Sequence, residues 1–170
     1  METNSVAFFR SQNYPELPAK PLVAAWRVKN PQNVGSLVRL VDNVGGDTLY
    51  LLDDDNPKRE SSIKKTAGLS FKNVRLIVTS SDEFFHSIPD GYAVFAVETD
   101  QNSENLFTTQ FPDKVAFLLG SEMHGLSPDL IARCEQSIHI PMTGSCKSMN
   151  ISHALSVVLF EWVRQQLFCK

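Results

Sequence analysis

The chain has 170 residues, 42% of them hydrophobic and 21% charged, which suits one domain with a core of its own. A formal net charge of −3 and a pI near 5.8 exclude an indiscriminate nucleic-acid binder. No apolar run reaches membrane-spanning length, and three cysteines without a CxxC spacing argue against a disulfide framework and against a zinc site.

The first twenty residues are too polar for a secretory signal, and Pro15, Pro18 and Pro21 predict an extended arm over residues 1–20 ahead of a domain at 21–170. With the odd cysteine count, the reading is a cytoplasmic protein without a metal or membrane partner. Leu22–Val28 reads as a strand. Asn33-Val34-Gly35 opens a helix whose Val34, Leu37, Val38, Val41 and Val44 share one face, and Gly45-Gly46 ends it. Thr48–Leu52 is a second strand and Asp53–Pro57 a loop. Ser61–Ala67 reads as a short helix carrying Lys64 and Lys65, and Val74–Val78 as a strand. Ser80 and Glu83 have the spacing of a capping box.

Two further strands are predicted at Tyr92–Val97 and Val115–Gly120. Ser127-Pro128-Asp129 has the form of a helix start, with a capping serine and proline at the first position. Ser137–Ile140 is the last strand. A long helix runs from about Ser148 to Phe168, with Ile151, Leu155, Val158, Leu159 and Trp162 as its buried stripe. Strands that are apolar throughout, each followed by a helix, predict a mostly parallel α/β sheet covered on both faces. Such sheets bind ligands beyond the carboxyl ends of their strands, so the chemistry belongs in the loops after Val28, Val97, Gly120 and Ile140.

The first loop leads into Asn33, Gly35 and Arg39. Free N–H groups at a helix start favour an anion, and Gly35 would admit a ligand close to the backbone. A capping Asn and a surface Arg would explain the same residues. The loop Gly120–Leu126 places Glu122 between two glycines, where it reads either as a solvated acid or as an acceptor beside a small ligand. The segment Ile140–Asn150 carries Ser148, a candidate N-cap, and Asn150. Its Met142 and Met149 suit either the core or an adenine ring. Six of the 16 Lys and Arg fall between Lys58 and Arg75. That run reads as a solvated face or as a phosphate-binding patch centred on Lys58, Arg59, Lys64 and Lys65. No GxGxxG fingerprint is present, which disfavours a flavodoxin- or dehydrogenase-type nucleotide site.

In this order, NPQNVGSLVRLVDNVGG (Asn30–Gly46), FLLGSEMHGLS (Phe117–Ser127) and IPMTGSCKSMNISHALSVVLFE (Ile140–Glu161) resemble the SpoU–TrmH family of RNA 2′-O-methyltransferases, within the SPOUT superfamily. The resemblance covers roughly residues 21–165, with Asp53–Gln110 matching in layout rather than motif. It implies a mostly parallel sheet with helices on both faces and a C-terminal trefoil knot, a homodimer, and S-adenosyl-L-methionine as cofactor. The implied substrate is a ribose 2′-hydroxyl in tRNA or rRNA, with tRNA favoured. By motif match, Thr99, Leu119, Gly120, Ile140, Met142, Ser148 and Met149 would contact the cofactor. Asn33, Arg39, Glu122, Ser148 and Asn150 match the polar catalytic set. A guanidinium is a poor base because its pKa exceeds about 12, so Arg39 is expected to grip an RNA phosphate and lower the hydroxyl's pKa. The alternative is a catalytically silent RNA-binding protein of the same fold.

Overall fold

A computed structural model describes residues 4–54 and 58–169, and its apolar runs become seven parallel strands of one sheet in the order β3-β2-β1-β6-β4-β7-β5. The strands are β1 (Leu22–Trp26), β2 (Thr48–Leu52), β3 (Arg75–Thr79), β4 (Ala93–Val97), β5 (Glu104–Asn105), β6 (Val115–Leu119) and β7 (Gln136–His139). β6 is buried along its whole length, because it lies between β1 and β4 with helices over both faces. The chain builds β1, β2 and β3 outward in one direction and then returns to the other side of β1. This reversal opens a crevice at the carboxyl ends of β1, β6, β4 and β7.

The helices are α1 (Asn4–Ser11), α2 (Pro31–Asn43), α3 (Glu60–Ala67), α4 (Ser81–Ser87), α5 (Pro128–Ile131) and α6 (Ile151–Phe168). The expected stripe of α6 is buried, and so is that of α2; the two helices share one core cluster over one sheet face. A second cluster, with Leu52, Phe84, Leu118 and Leu130, fills the opposite face. Polar residues that the periodicity hid also hold α6. Buried Gln165 accepts from the Phe111 N–H at 2.9 Å and donates to the Thr109 carbonyl at 2.9 Å. Trp162 is fully buried and donates its indole N–H to the Pro112 carbonyl at 3.1 Å. These bonds satisfy main-chain groups of a strandless segment that would otherwise be buried unpaired.

Several expectations are corrected. α2 begins at Pro31 with Asn30 as its cap, accepting from the Gln32 N–H, so Asn33 lies inside the first turn and is not the cap. Gly35 is buried against α3 and not open to a ligand; a Cβ there would stand 2.7 Å from the Ile63 carbonyl oxygen. Its role is a close helix–helix contact. β1 ends at Trp26 and not at Val28, because Arg27 turns out of the strand with φ +49°. α6 starts at Ile151 with Asn150, not Ser148, as its cap. The arm contains α1, whose residues are all exposed, in place of a wholly extended run. β5 has no sequence signature, being two residues long. The loop expected at Asp53–Pro57 lies partly outside the described residues. The capping box at Ser80 and Glu83 is present, with both of its hydrogen bonds.

Candidate functional site

Three loops converge beyond the carboxyl ends of β1, β6 and β7. Asn33, 8% exposed, is the centre of the junction. Its amide nitrogen donates to Glu122 Oε1 at 2.8 Å, and its amide oxygen accepts from Asn150 Nδ2 at 3.1 Å. Asn150 uses its own Oδ1 to cap α6, accepting from the Ser152 N–H at 2.8 Å. One asparagine amide therefore ties the start of α2 to two loops far away in sequence. Glu122 also accepts from the backbone N–H groups of Lys29 and Asn30, each at 3.2 Å. The anion expected at the start of α2 is thus supplied by the protein's own carboxylate. Burial pushes the Glu122 carboxyl up, but the bonds from Asn33, Lys29 and Asn30 outweigh it, and the net pKa lies below the usual glutamate value.

Beside this junction lies an open cleft of about 480 Å³, within the ~300–1,000 Å³ range of sites for small organic ligands. Leu119, Gly120, Ile140, Met142, Ser148 and Met149 line it, as does Thr99, so every residue expected at a cofactor lines one cavity. Glu122 and Asn150 share its wall, whereas Asn33 stands behind them. Gly120 is required by the turn that follows it. Ser121 and Gly125 pair across that turn, and a Cβ on Gly120 would fall 2.2 Å from the Gly125 carbonyl carbon. Among the described residues, the segment 141–149 makes no backbone–backbone hydrogen bond, and side chains take only its Met142 and Ser148 carbonyls, which leaves other main-chain groups for a ligand at the cleft.

Sequence patterning does not single out Glu98. Its carboxylate accepts from the Thr99 N–H at 2.9 Å and the Leu126 N–H at 2.7 Å, joining the loop after β4 to the loop after β6. A Cβ on Gly125 would strike its Oε2. The available signal is an acid directly after an apolar strand, in a loop already marked by the open-sheet rule. His139 and Lys147 also line the cleft unforeseen. Lys147 donates to the Met142 carbonyl at 2.6 Å and closes its own loop.

Arg39 does not join this junction. It is exposed on α2, it does not line the cleft, and among the described residues it makes no hydrogen bond or ion pair. The basic segment divides as well. Lys58 is paired with Asp54 and its side chain is only 5% exposed, so it is withdrawn from the surface patch proposed for it. Lys64 is exposed but bonded to Glu60 at 2.5 Å and set 5.1 Å over the Phe71 ring. Arg59 and Lys65 are exposed without an ion pair among the described residues.

Known proteins share this fold. The model of the SpoU rRNA Methylase family matches residues 20–160. A protein of Haemophilus ducreyi described as 23S rRNA (guanosine-2'-O-)-methyltransferase RlmB is 30% identical over 142 residues, spanning 82% of this chain and 58% of the relative. The chain therefore covers little more than half the length of such relatives. A solved structure described as "Structural insights into the 2-OH methylation of C/U34 on tRNA" aligns with a TM-score of 0.77 and 26% identity, covering 85% of this chain and 95% of that one. The AviRb methyltransferase of Streptomyces viridochromogenes, solved with AdoMet, shares the fold at a TM-score of 0.74 and 22% identity, over 88% of this chain and 60% of its own.

Proposed function

The chain belongs to the SpoU rRNA methylase family, and from that membership and the cleft we propose that it transfers the methyl group of S-adenosyl-L-methionine to a ribose 2′-hydroxyl of tRNA or rRNA. The observation that carries this reading is the convergence of Gly120, Ile140 and Met149 on one cleft whose wall is braced by the Asn33–Glu122–Asn150 junction. The cleft suits the cofactor chemically. Leu119, Ile140, Met142 and Met149 offer apolar surface for an adenine ring, and the main-chain groups of 141–149 other than the Met142 and Ser148 carbonyls offer partners for its edge. Glu98 and Glu122 give the cavity a negative wall that suits a sulfonium and an ammonium group. When bound, the cofactor supplies an electrophilic methyl group.

The rest of the chemistry falls to the chain's own residues. The junction holds the loops in place before any ligand arrives, so little reorganisation remains to be made on binding. Ser148, at the cleft, offers a hydroxyl to either substrate. Arg39, exposed and without a partner among the described residues, would take an RNA phosphate and favour the alkoxide form of the hydroxyl electrostatically. Arg59 and Lys65, with Lys64 after it exchanges Glu60, would hold the RNA backbone. The 26%-identical structure whose description concerns tRNA matches almost end to end, and this favours tRNA over rRNA.

The reading extends to a cytoplasmic homodimer without a bound metal. α6 leaves Phe160 and Phe168 exposed, and a second copy would cover them. The C-terminal trefoil knot belongs to the same reading. It is supported by membership of the family and by the likeness of fold to its solved members. Residues 1–20 act as an arm to the domain at 21–170. No helix among the described residues is long and apolar enough to cross a membrane.

The test incubates the protein with isotope-labelled S-adenosylmethionine and RNA from cells lacking its gene, followed by mass spectrometry of the nucleosides. Label on one 2′-O-methyl nucleoside is expected. Label on a base, or RNA binding without transfer, would overturn the reading, and the second outcome would favour the silent RNA-binding protein.

A further inference from the structure

A second cavity, of about 220 Å³, lies on the other side of the loop that walls the cofactor cleft. The two share Ser121, Glu122 and Met123, and the new cavity is completed by Trp26, Arg27, Lys29, Asp53, Asp54 and His124. None of Trp26, Arg27 or Asp53 has a part in the proposed donor site. We propose that this cavity is a nucleobase subsite, in which a base of the RNA substrate stacks on the guanidinium of Arg27, itself backed by the indole of Trp26. The proposal rests on the RNA methyl-transfer reading and names how that site holds its acceptor.

Four observations support it. Arg27 is exposed, and its guanidinium carbon lies 4.9 Å from the Trp26 ring centre, so a planar cation already rests on an aromatic face. A base arriving from solvent meets that plane first, and unstacked RNA bases are commonly held on guanidinium and aromatic planes. Next, the platform is fixed from beneath. The Trp26 indole N–H donates to Asp53 Oδ2 at 2.9 Å, and Asp53 Oδ1 accepts from the Ser81 N–H at 3.0 Å.

Backbone conformation gives the third. Arg27 and Asp53 have φ of +49° and +50°, and they are the only non-glycine residues at positive φ among the described residues. Both sit just past the ends of adjacent strands, and both line this cavity. Left-handed backbone at two neighbouring side-chain-bearing positions costs energy that packing elsewhere must offset, and such strain gathers where a side chain must be aimed. The fourth is position. The cavity is smaller than the ~300–1,000 Å³ sites of drug-sized ligands, a scale that suits one flat ring system. It shares a wall with the donor cleft, so a ribose held over that wall would carry its own or an adjacent base to Arg27. Lys29, exposed at the rim, has no ion pair among the described residues and stands ready for the intervening phosphate.

Stacking and phosphate binding are separated by comparing Arg27→Lys with Arg27→Ala. Lysine keeps the charge and loses the plane. Both variants are expected to weaken RNA binding to a similar extent, roughly 5- to 150-fold, with S-adenosylmethionine affinity unchanged. RNA affinity restored by lysine would make Arg27 a phosphate anchor and overturn the subsite. The protein's own fluorescence gives an independent reading. Trp162 is fully buried, so quenching by added single-stranded ribo-oligonucleotides of one base each should come from Trp26 and vanish in Trp26→Phe. Quenching that persists in that variant, or is absent from the wild type, contradicts the proposal. These binding readings need no turnover. Wild-type protein that stacks RNA but methylates none sinks the methyl-transfer reading, whereas active wild type with unaffected Arg27 variants sinks the subsite alone.

Discussion

On α2, Asn33 is buried and hydrogen-bonded on both sides of its amide, whereas Arg39, less than two turns further on, is exposed and bonded to nothing among the described residues. The same helix therefore carries one residue with partners inside the chain and one with no partner among the described residues. A fold that completes Asn33 internally can hold its cleft ready before a ligand arrives. A cation left without a partner is suited to an anion brought by the substrate. Under the proposed function, the difference divides the site into a donor half that the chain braces by itself and an acceptor half, with Arg39, left for the RNA.

The largest expected effect lies on the exposed side of that division. Arg39→Ala should lower methyl transfer by on the order of 10²-fold or more, the usual scale for losing one transition-state charge partner, while the melting temperature stays within a degree or so of wild type. A labelled-methyl filter assay and thermal scanning check the pair. A clear fall in melting temperature would mean that Arg39 has an internal role after all.

Gly120→Ala attacks the other half. The added Cβ must push the Gly125–Leu126 backbone away, and forced overpacking costs about 1–3 kcal/mol. For a chain of this size that corresponds to roughly 2–12 °C in melting temperature. Calorimetry that finds no change would show the turn after β6 to be looser than its geometry implies.

Glu122→Gln is a smaller perturbation. Glutamine keeps one oxygen for Asn33 and Asn30 but presents N–H where the backbone N–H of Lys29 needs an acceptor. A loss of about 2–4 °C is expected near neutral pH. The sign of its pH dependence follows from the lowered pKa of Glu122. The carboxylate's stabilisation is complete above the ordinary glutamate value of about 4.3 and is lost as pH falls through the lower folded-state value. The gap between wild type and Glu122→Gln should therefore hold steady from neutral pH and close only in acid. A gap that closes already between pH 6 and 7 would implicate a different group.

The smallest effects belong to the basic segment. Lys65→Glu should weaken RNA binding by several-fold and make its salt dependence shallower, by about 0.7 in slope for each phosphate no longer neutralised. Lys64→Glu should cost less, because Lys64 must first give up Glu60. Equal effects, or an unchanged salt slope, would return the segment to a solvated face.

How far each feature is legible in the sequence follows from what it depends on. The buried stripes of α2 and α6, and six of the seven strands, depend on local periodicity and can be read. So can the loops of the cleft, because an open parallel sheet gathers them at the carboxyl ends of its strands, while its individual residues come from the resemblance. What cannot be read depends on contacts between distant residues. Gly35 reads as room for a ligand and is in fact the floor of the α2–α3 packing. Asn33 reads as a cap or, by the resemblance, as one of a polar set with Glu122 and Asn150, and the hydrogen bonds that join the three appear only in the fold. Glu98 is only weakly marked, as an acid after an apolar strand, and its role depends on two N–H donors, one of them 28 residues away. Lys58 reads as one of a patch, yet Asp54 takes it inward.

Side-by-side calorimetric titration of S-adenosylmethionine into Arg39→Ala and Gly120→Ala tests the division most directly. Arg39→Ala is expected to bind the donor as the wild type does, and Gly120→Ala to bind it at least tenfold more weakly. Equal losses in the two variants, or undiminished binding by Gly120→Ala, would contradict the account.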